Sequence, residues 1–382
     1  MRVAVFGGGY AGLVAVTRLE RRLPTDAELV FVDPRSTHLV KHELHRVVRR
    51  PGVGEAISVP FASMLDSARI REGRLVDLDP DAGRAIFEDE DTLSYDAGVV
   101  AIGARPAHYG LPGVEANSTP LDSIAHARGI GEQMDALIEN GAGTAIVGGA
   151  GLAGVQVAGE LAEMAAGTDV DVLLLEQADR VAPQVSSRFS RAIDERLQSV
   201  GVQVETGQTV ERATPETIEL ASGQQLEYGC FVWAGGITGR HALGGERPQV
   251  RADLRLGDRT FAAGDAVRVI DQNGELAAAT AQAAVGMAPI AADNAKRRAT
   301  AGESGFGPSY RRYRDDSSGL VVTVGDETVA QVGPSILSGS PAKALKSLVG
   351  TRYLSTAGAI EEGVAVARTE FGLAGPDGAA GE

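Results

Sequence analysis

The feature that most constrains this chain is a repeat. The segments VFGGGYAGLVAVTRL, from Val5, and VGGAGLAGVQVAGEL, from Val147, share a strand end, a glycine turn and a helix start at an offset of 142 residues. Each repeat opens with a short apolar run, Val3 to Phe6 and Thr144 to Val147, of the kind that forms a buried parallel strand. Each continues into an alanine-rich stretch of helical character. A second apolar run follows and ends in an acid: ELVFVD closes at Asp33 and VDVLLLE at Glu176. Two related α/β units follow from this pattern.

Strand, glycine turn, helix, strand and terminal acid together make the βαβ dinucleotide-binding fingerprint. In the first unit Gly7 allows the tight turn, Gly9 lets a pyrophosphate approach the backbone, and Gly12 lets helix and strand pack closely. The phosphate charge then faces a helix N-terminus. Asp33, 21 residues past Gly12, is placed to accept from ribose hydroxyls. Gly149, Gly151 and Gly154 repeat the arrangement, with Glu176 lying 22 residues beyond Gly154. One glycine motif alone is weak evidence, whereas two complete fingerprints in one chain point to one nucleotide held permanently and one exchanged. Glu176 should repel a 2′-phosphate and favour NADH over NADPH; Arg180, four residues on, pulls the other way.

Composition narrows the remaining classes. A length of 382 residues, 43% of them hydrophobic, fits two to three domains with more than one core. The net charge of −15, with only Lys41, Lys296, Lys343 and Lys346 as lysines among 36 basic residues, reads as adaptation to high salt (a halophilic signature); an ordinary acidic bacterial protein is the plainer alternative. Such a balance argues against nucleic-acid binding. Cys230 is the sole cysteine, which excludes an internal disulfide, a CxxC redox pair and a cysteine zinc site; a buried strand position is expected for it. The start carries no signal-peptide pattern, so a cytoplasmic protein is expected. The uncharged stretches from Gly141 to Gly159 and from Leu276 to Ala292 are too rich in glycine, or in alanine with Pro289 inside, to read as membrane-spanning helices.

Further along, LSYDAGVVAIGARP reads as a turn, a buried strand and an exit near Pro106, and LPGVEANSTP as a linker. RTFAAGDAVRV adds a third strand-like signal near Gly264, followed by a helix from about Ala277 to Arg298. After Gly319 the tail alternates as strands (LVVTV, TVAQV), turns helical after Ser340 and Pro341, and ends in GLAGPDGAAGE, expected to be disordered.

At this point the residues resemble a family, the two-dinucleotide-binding, FAD-dependent oxidoreductases, and within it the type II (non-proton-pumping) NADH dehydrogenases. The resemblance covers roughly residues 1 to 335. Besides the glycine motifs it rests on YDAGVVAIGARP, LLLEQADRVAP with LQSVGVQV, VWAGGI, FAAGDA, TAQAA and YRRYRDDSSGLVVTVG. It implies an α/β fold of two Rossmann-like domains: a discontinuous FAD domain over 1–112 and 241–316, an NAD(P)H domain over 113–240, and a C-terminal segment over 317–382. FAD would contact Gly7, Gly9, Gly12, Asp33, Ala101 and Gly103. It would also contact Gly264 and Asp265, whose carboxylate would accept from the ribityl chain, and Thr280, Ala281 and Gln282, which start a helix aimed at the isoalloxazine. Gln282 would also face the acceptor side. NADH would contact Gly149, Gly151, Gly154 and Glu176, with Gly236 near the nicotinamide.

Departures from the family pattern touch the acceptor side. Ile102 replaces the threonine of an A-T-G signature, Gln156 stands where a glutamate is usual, and Gly286 and Met287 replace a glutamine pair. With one cysteine, electrons cannot pass through a disulfide, so a diffusible acceptor is expected, a quinone first by resemblance. The alternative is a redox-responsive protein of the apoptosis-inducing-factor type, with slow turnover and a protein partner. His38, His42 and His45, at spacings of four and three, could lie along a helical face; without cysteines or a compact carboxylate set the expectation is not a metal site but histidines that are solvated or flank the flavin. In the tail helix, capped by Ser340 with Pro341 at its first position, Leu345, Leu348, Val349 and Tyr353 share a face beside Lys343 and Lys346. The resemblance implies peripheral contact with the cytoplasmic membrane face; the alternative is a cover for the FAD domain or a homodimer seam.

Overall fold

The computed structural model describes residues 1–301, 308–316 and 319–346. Ten strands build two parallel sheets. In chain order they are β1 (Arg2–Phe6), β2 (Glu28–Asp33), β3 (Arg69–Glu72), β4 (Ala97–Val100), β5 (Thr119–Pro120), β6 (Ala142–Gly148), β7 (Asp169–Glu176), β8 (Val202–Thr206), β9 (Cys230–Trp233) and β10 (Thr260–Ala262). The first sheet runs β10-β4-β1-β2-β3 and the second β5-β9-β6-β7-β8. Every pairing in both is parallel. The repeat is therefore carried by topology as well as by motif, because each glycine strand, β1 or β6, is central and pairs with the strand that ends in the acid.

The central strands are apolar along their length because both faces of the sheets are covered, by helices on one side and by antiparallel strands on the other, where Ile146, Leu173 and Phe231 cluster with Ile218 and Leu220. Val3, Val5, Val99, Val147, Val232 and Cys230 are all fully buried. The helices that cover them and frame the site are α1 (Tyr10–Glu20), α2 (Arg46–Arg49), α3 (Ile124–Glu139), α4 (Leu152–Ala165), α5 (Ser187–Ser199) and α6 (Ala281–Thr300). The last begins four residues later than its alanine content predicts, because the Thr280 hydroxyl accepts from Ala283 N and fixes the cap there. Pro289 lies within it.

Several expectations change. The segment LPGVEANSTP is not a bare linker: Val114, fully buried, anchors a short helix over Val114–Asn117, and Thr119–Pro120 is the edge strand beside β9. Each unit also carries an antiparallel three-stranded meander that sequence periodicity does not announce. One lies between β3 and β4 (Leu75–Asp79, Arg84–Phe87, Thr92–Ser94) and the other between β8 and β9 (Val210–Ala213, Thr217–Leu220, Gln225–Glu227). The tail strands β11 (Gly319–Val324) and β12 (Glu327–Val332) are joined by β13 (Ser335–Ser338), a third strand that was not expected. This sheet packs on α4 so closely that a Cβ on Gly159 would lie 2.4 Å from Gly325 N.

The helical stretch over 340–346 starts one residue earlier than predicted, since the Gly339 carbonyl accepts its first bond from Lys343 N. Lys346 does not lie beside an outward apolar face. Its side chain is buried against the first unit, with Nζ 2.9 Å from Glu43 Oε1. Leu348, Val349 and Tyr353 lie outside the described residues, as does GLAGPDGAAGE. Among the described residues no helix is long and apolar enough to cross a membrane.

Candidate functional site

The two glycine turns have the same build. Gly7 and Gly149 adopt φ of +102° and +103°, a region that strains any L side chain. A Cβ on Gly7 would fall 2.3 Å from the Ala101 carbonyl oxygen, and one on Gly149 2.6 Å from that of Ala234. One on Gly12 would fall 1.7 Å from Gly7 O and one on Gly154 1.9 Å from Gly149 O, so helix and turn touch backbone to backbone. Gly9 and Gly151 differ: a Cβ there would meet nothing within 4 Å. The protein's own packing explains the first and third glycines of each motif and leaves the second facing open space.

Gly9 and Gly151 are also the N-caps of α1 and α4, and neither helix has a side-chain cap. By contrast α3, α5 and α6 are capped by Ser123, Ser186 and Thr280. The two uncapped helix starts therefore present backbone N–H groups and the positive end of the helix dipole to the space above the glycine turns.

The two acids also match. Asp33, almost fully buried, accepts from Gly8 N (2.6 Å) through one oxygen and from Arg35 N (2.9 Å) through the other. Glu176, equally enclosed, accepts from Ala150 N (2.7 Å) and Ala178 N (2.8 Å). Each carboxylate ties the glycine turn to the end of the neighbouring strand; Asp33 Oδ1 also accepts from Arg35 Nε (3.1 Å), which leaves Asp33 Oδ2 and both Glu176 oxygens with a lone pair for a further donor. Arg180 does not approach Glu176 as a counter-charge; its Nη2 donates to the Pro183 carbonyl at 2.9 Å.

Around the first turn, the residues singled out from sequence converge. Ala101 and Gly103 (φ +66°) follow β4 against Gly7, and Arg240 spans them by donating to the carbonyls of Ile102 (3.0 Å) and Ala104 (3.1 Å). Gly264 (φ +70°) sits between Ala11 and Ala284, so a Cβ on it would be 3.3 Å from each. Asp265 follows it, with Arg247 holding its backbone carbonyl at 2.7 Å. Its carboxyl receives no hydrogen bond among the described residues, and burial pushes its pKa up against the opposing pull of Arg247 and Lys41. Thr280 and Ala281 begin α6 on the same side, and Gln282 is exposed. In the second unit Gly236 (φ +136°) lies one residue beyond the Ala234–Gly235 backbone that Gly149 abuts.

The three histidines do not share a helical face. His38 lies in the strand Thr37–Leu39, His42 in a single 3-10 turn over Lys41–Glu43, and His45 precedes α2. His38 is fully buried and its Nδ1 donates to the Gly8 carbonyl at 2.8 Å, which makes it a second brace for the glycine turn. His42 Nδ1 is 2.6 Å from the Tyr10 hydroxyl, on the first residue after Gly9. Among the described residues no group of three His, Cys, Asp or Glu could hold a metal. Sequence reasoning missed Tyr10 and Arg240. The first stands inside the glycine motif and could have been flagged; nothing local marks the second.

Comparison with known proteins agrees with this geometry. A sequence profile described as pyridine nucleotide-disulphide oxidoreductase matches residues 1–288. The type II NADH:quinone oxidoreductase of Staphylococcus aureus strain MSSA476 is 25% identical over 405 positions, covering 97% of this chain and 98% of that one. Among solved structures, NDH2 from Plasmodium falciparum in complex with NADH aligns with a TM-score of 0.79 at 14% identity, over 97% of this chain and 98% of that chain. The sulfide:quinone oxidoreductase of Aquifex aeolicus aligns with a TM-score of 0.79 at 17% identity, over 94% and 92%.

Proposed function

The chain belongs to the pyridine nucleotide-disulphide oxidoreductase family, and from that premise we propose that it is a FAD-dependent NADH dehydrogenase that delivers electrons to a quinone-like diffusible acceptor. The observation that carries this reading is the pair of cradles in which the second glycine faces open space at an uncapped helix start. Packing gives no reason for glycine at Gly9 or Gly151, whereas a pyrophosphate that must touch the backbone does.

The residues present fit both groups. FAD would lie in the first cradle, with its pyrophosphate on Gly7–Gly12, a ribose on the remaining acceptor capacity of Asp33, and Ala101, Gly103 and Gly264 lining its path. Asp265 would offer a half-buried carboxylate without a protein donor to the ribityl hydroxyls, and Thr280, Ala281 and Gln282 would present the start of α6. NADH would lie in the second, on Gly149, Gly151 and Gly154, with Glu176 on its adenosine ribose and Gly236 near the nicotinamide. Glu176 favours NADH because a 2′-phosphate would place like charge beside a buried carboxylate, and Arg180 is engaged with Pro183.

When bound, FAD accepts hydride from NADH and passes the electrons onward. The protein's part is to hold the two nucleotides, and to fix both glycine turns through Asp33, Glu176 and His38. The lone Cys230 is buried, with burial pushing its thiol up to about 12, so it takes no part as a redox thiolate. We assign the FAD role to 1–112 with 241–316 and the NADH role to 113–240, and leave peripheral membrane contact to the segment over 317–382. The test is direct: the purified protein should be yellow, should release FAD on denaturation, and should oxidise NADH with a water-soluble quinone through many turnovers. A colourless protein that cannot be loaded with FAD overturns the reading.

A further inference from the structure

Ligands of open parallel sheets lie across the carboxyl ends of the strands. In the second sheet β6 ends at Gly148 and β9 at Trp233, side by side in register. The next residues touch as well, since a Cβ on Gly149 would lie 2.6 Å from Ala234 O and 2.9 Å from Gly235 Cα. Whatever occupies this cradle passes over Ala234–Gly236.

A loop from the first unit already lies there. Ala107 N donates to Gly236 O at 3.0 Å, and the buried Trp233 Nε1 donates to Ala107 O at 2.8 Å, so the base of the loop is stitched to the strand end from both sides. Two residues on, Tyr109 adopts φ of +54° and is 68% exposed as a residue, yet its hydroxyl donates to Gly235 O at 3.1 Å. The hydroxyl sits so close over Gly236 that a Cβ there would be 2.4 Å from it. A tyrosine in the left-handed region is a genuine outlier, and strain of this kind persists where the surroundings impose it. Tyr109 thus has a fixed base, a strained backbone and a solvated ring held at its tip by one hydrogen bond.

We propose that Tyr109 gates the nicotinamide end of the dinucleotide site, its hydroxyl donating to the Gly235 carbonyl until the N–H of a nicotinamide carboxamide displaces it. The inference rests on the reading of the second unit as the NADH site. Its consequence is competition. Binding NADH must first break the Tyr109–Gly235 bond, so removing that bond tightens binding and speeds association without altering the chemistry that follows.

The test compares Tyr109→Phe and Tyr109→Gly with the wild type, all loaded with FAD. Calorimetry with NAD+, which carries the same carboxamide and reduces nothing, should give a Kd lower by a factor of about 2 to 10 in Tyr109→Phe, the span of one hydrogen bond. Tyr109→Gly, which also relieves the backbone, should shift in the same direction at least as far. Stopped-flow reduction by NADH should reach half-saturation at lower NADH while the limiting rate and the FAD content stay those of the wild type. An unchanged or weaker Kd in both variants overturns the gate, a weaker one making Tyr109 a contact for the nucleotide. If neither variant nor wild type binds NAD+ or NADH, the NADH reading of the second unit fails and the gate with it.

Discussion

Exchanging Gly9 and Gly12 separately for alanine should divide ligand binding from folding. At Gly12 the new Cβ would stand 1.7 Å from Gly7 O, and the obstructing atom is backbone, so α1 has to move off the turn. Overpacking of a fixed site costs about 1–3 kcal/mol, and the rigidity here places Gly12→Ala at the upper end or beyond. At Gly9 the backbone is extended (φ −76°, ψ −169°) and nothing lies within 4 Å. There alanine gains about 0.4–1 kcal/mol from a less mobile unfolded chain, offset by a comparable loss because alanine is a poorer N-cap than glycine. With about 2–4 °C per kcal/mol for a domain of this size, flavin-free Gly12→Ala should melt at least 5 °C below wild type and Gly9→Ala within about 3 °C of it. Flavin retention should invert the contrast: Gly9→Ala folds and fails to keep FAD. Melting is followed by circular dichroism on flavin-free protein and loading by absorbance after gel filtration. If Gly9→Ala loads FAD as wild type does, or is as unstable as Gly12→Ala, then the open space above Gly9 is not a cofactor cradle and the reasoning fails. Gly151→Ala and Gly154→Ala should repeat the pattern for NAD+ binding.

Acidification supplies a second prediction. Burial pushes His38 down to about 4, only partly countered by its bond to Gly8, so the ring is neutral in the folded protein and charged in the unfolded chain below pH 6.5. Its contribution is therefore complete above pH 6.5 and is lost as pH falls toward 4, by about 3 kcal/mol. Burial pulls His42 and His45 the same way, so unfolding free energies from urea titrations between pH 7 and 4 should fall at least that far; a flat profile refutes it. For nucleotide choice, wild type should favour NADH over NADPH in kcat/KM, and Glu176→Ala should narrow the ratio; equal values in wild type mean that the carboxylate does not select. Removing Lys346 should strand Glu43. Burial, the largest single influence, raises that carboxyl, but Lys346, then His42, His45 and Arg46, together outweigh it. Lys346→Ala should cost about 3 kcal/mol, the low end for breaking a buried pair since Arg46 remains, while Glu43→Gln with Lys346→Met should recover most of it; an unchanged midpoint in Lys346→Ala would place the pair in solvent.

What was legible in the sequence is what backbone geometry forces on residue type. Only glycine tolerates Gly7 and Gly149, so the motif and its spacing fix the turn, the helix start and the strand beside them. Gly264 and Thr280 came from the family resemblance and not from this logic, since alanine content alone put the α6 start near Ala277. Legibility fails where a residue acts through something distant or where composition misleads. The polar, proline- and glycine-containing LPGVEANSTP conceals Val114, whose burial decides the path of that segment. Asp33 and Glu176 were legible as the acids that close each unit but not as braces, because Gly8 N and Ala150 N become their donors only once the turn has closed. Arg240 clamps the Gly103 loop from 138 residues away, with no local signature.

The C-terminal helix shows the same limit most sharply. On a helical wheel Lys343 and Lys346 flank the apolar positions, and that arrangement reads as a membrane-facing surface. The partner that decides the matter, Glu43, lies 303 residues earlier and meets Lys346 only when the first unit is folded. An ammonium buried against a carboxylate would have to leave that pair to reach an anionic lipid, at a cost above the roughly 1 kcal/mol that a lysine gains near such a surface. Lys346 therefore serves to pin the helical stretch over 340–346 to the first unit beside Tyr10, His42 and the glycine turn. Any attraction of this stretch to a charged membrane falls to Lys343 alone, too little to hold an acidic protein there without an apolar contribution from residues farther along the chain.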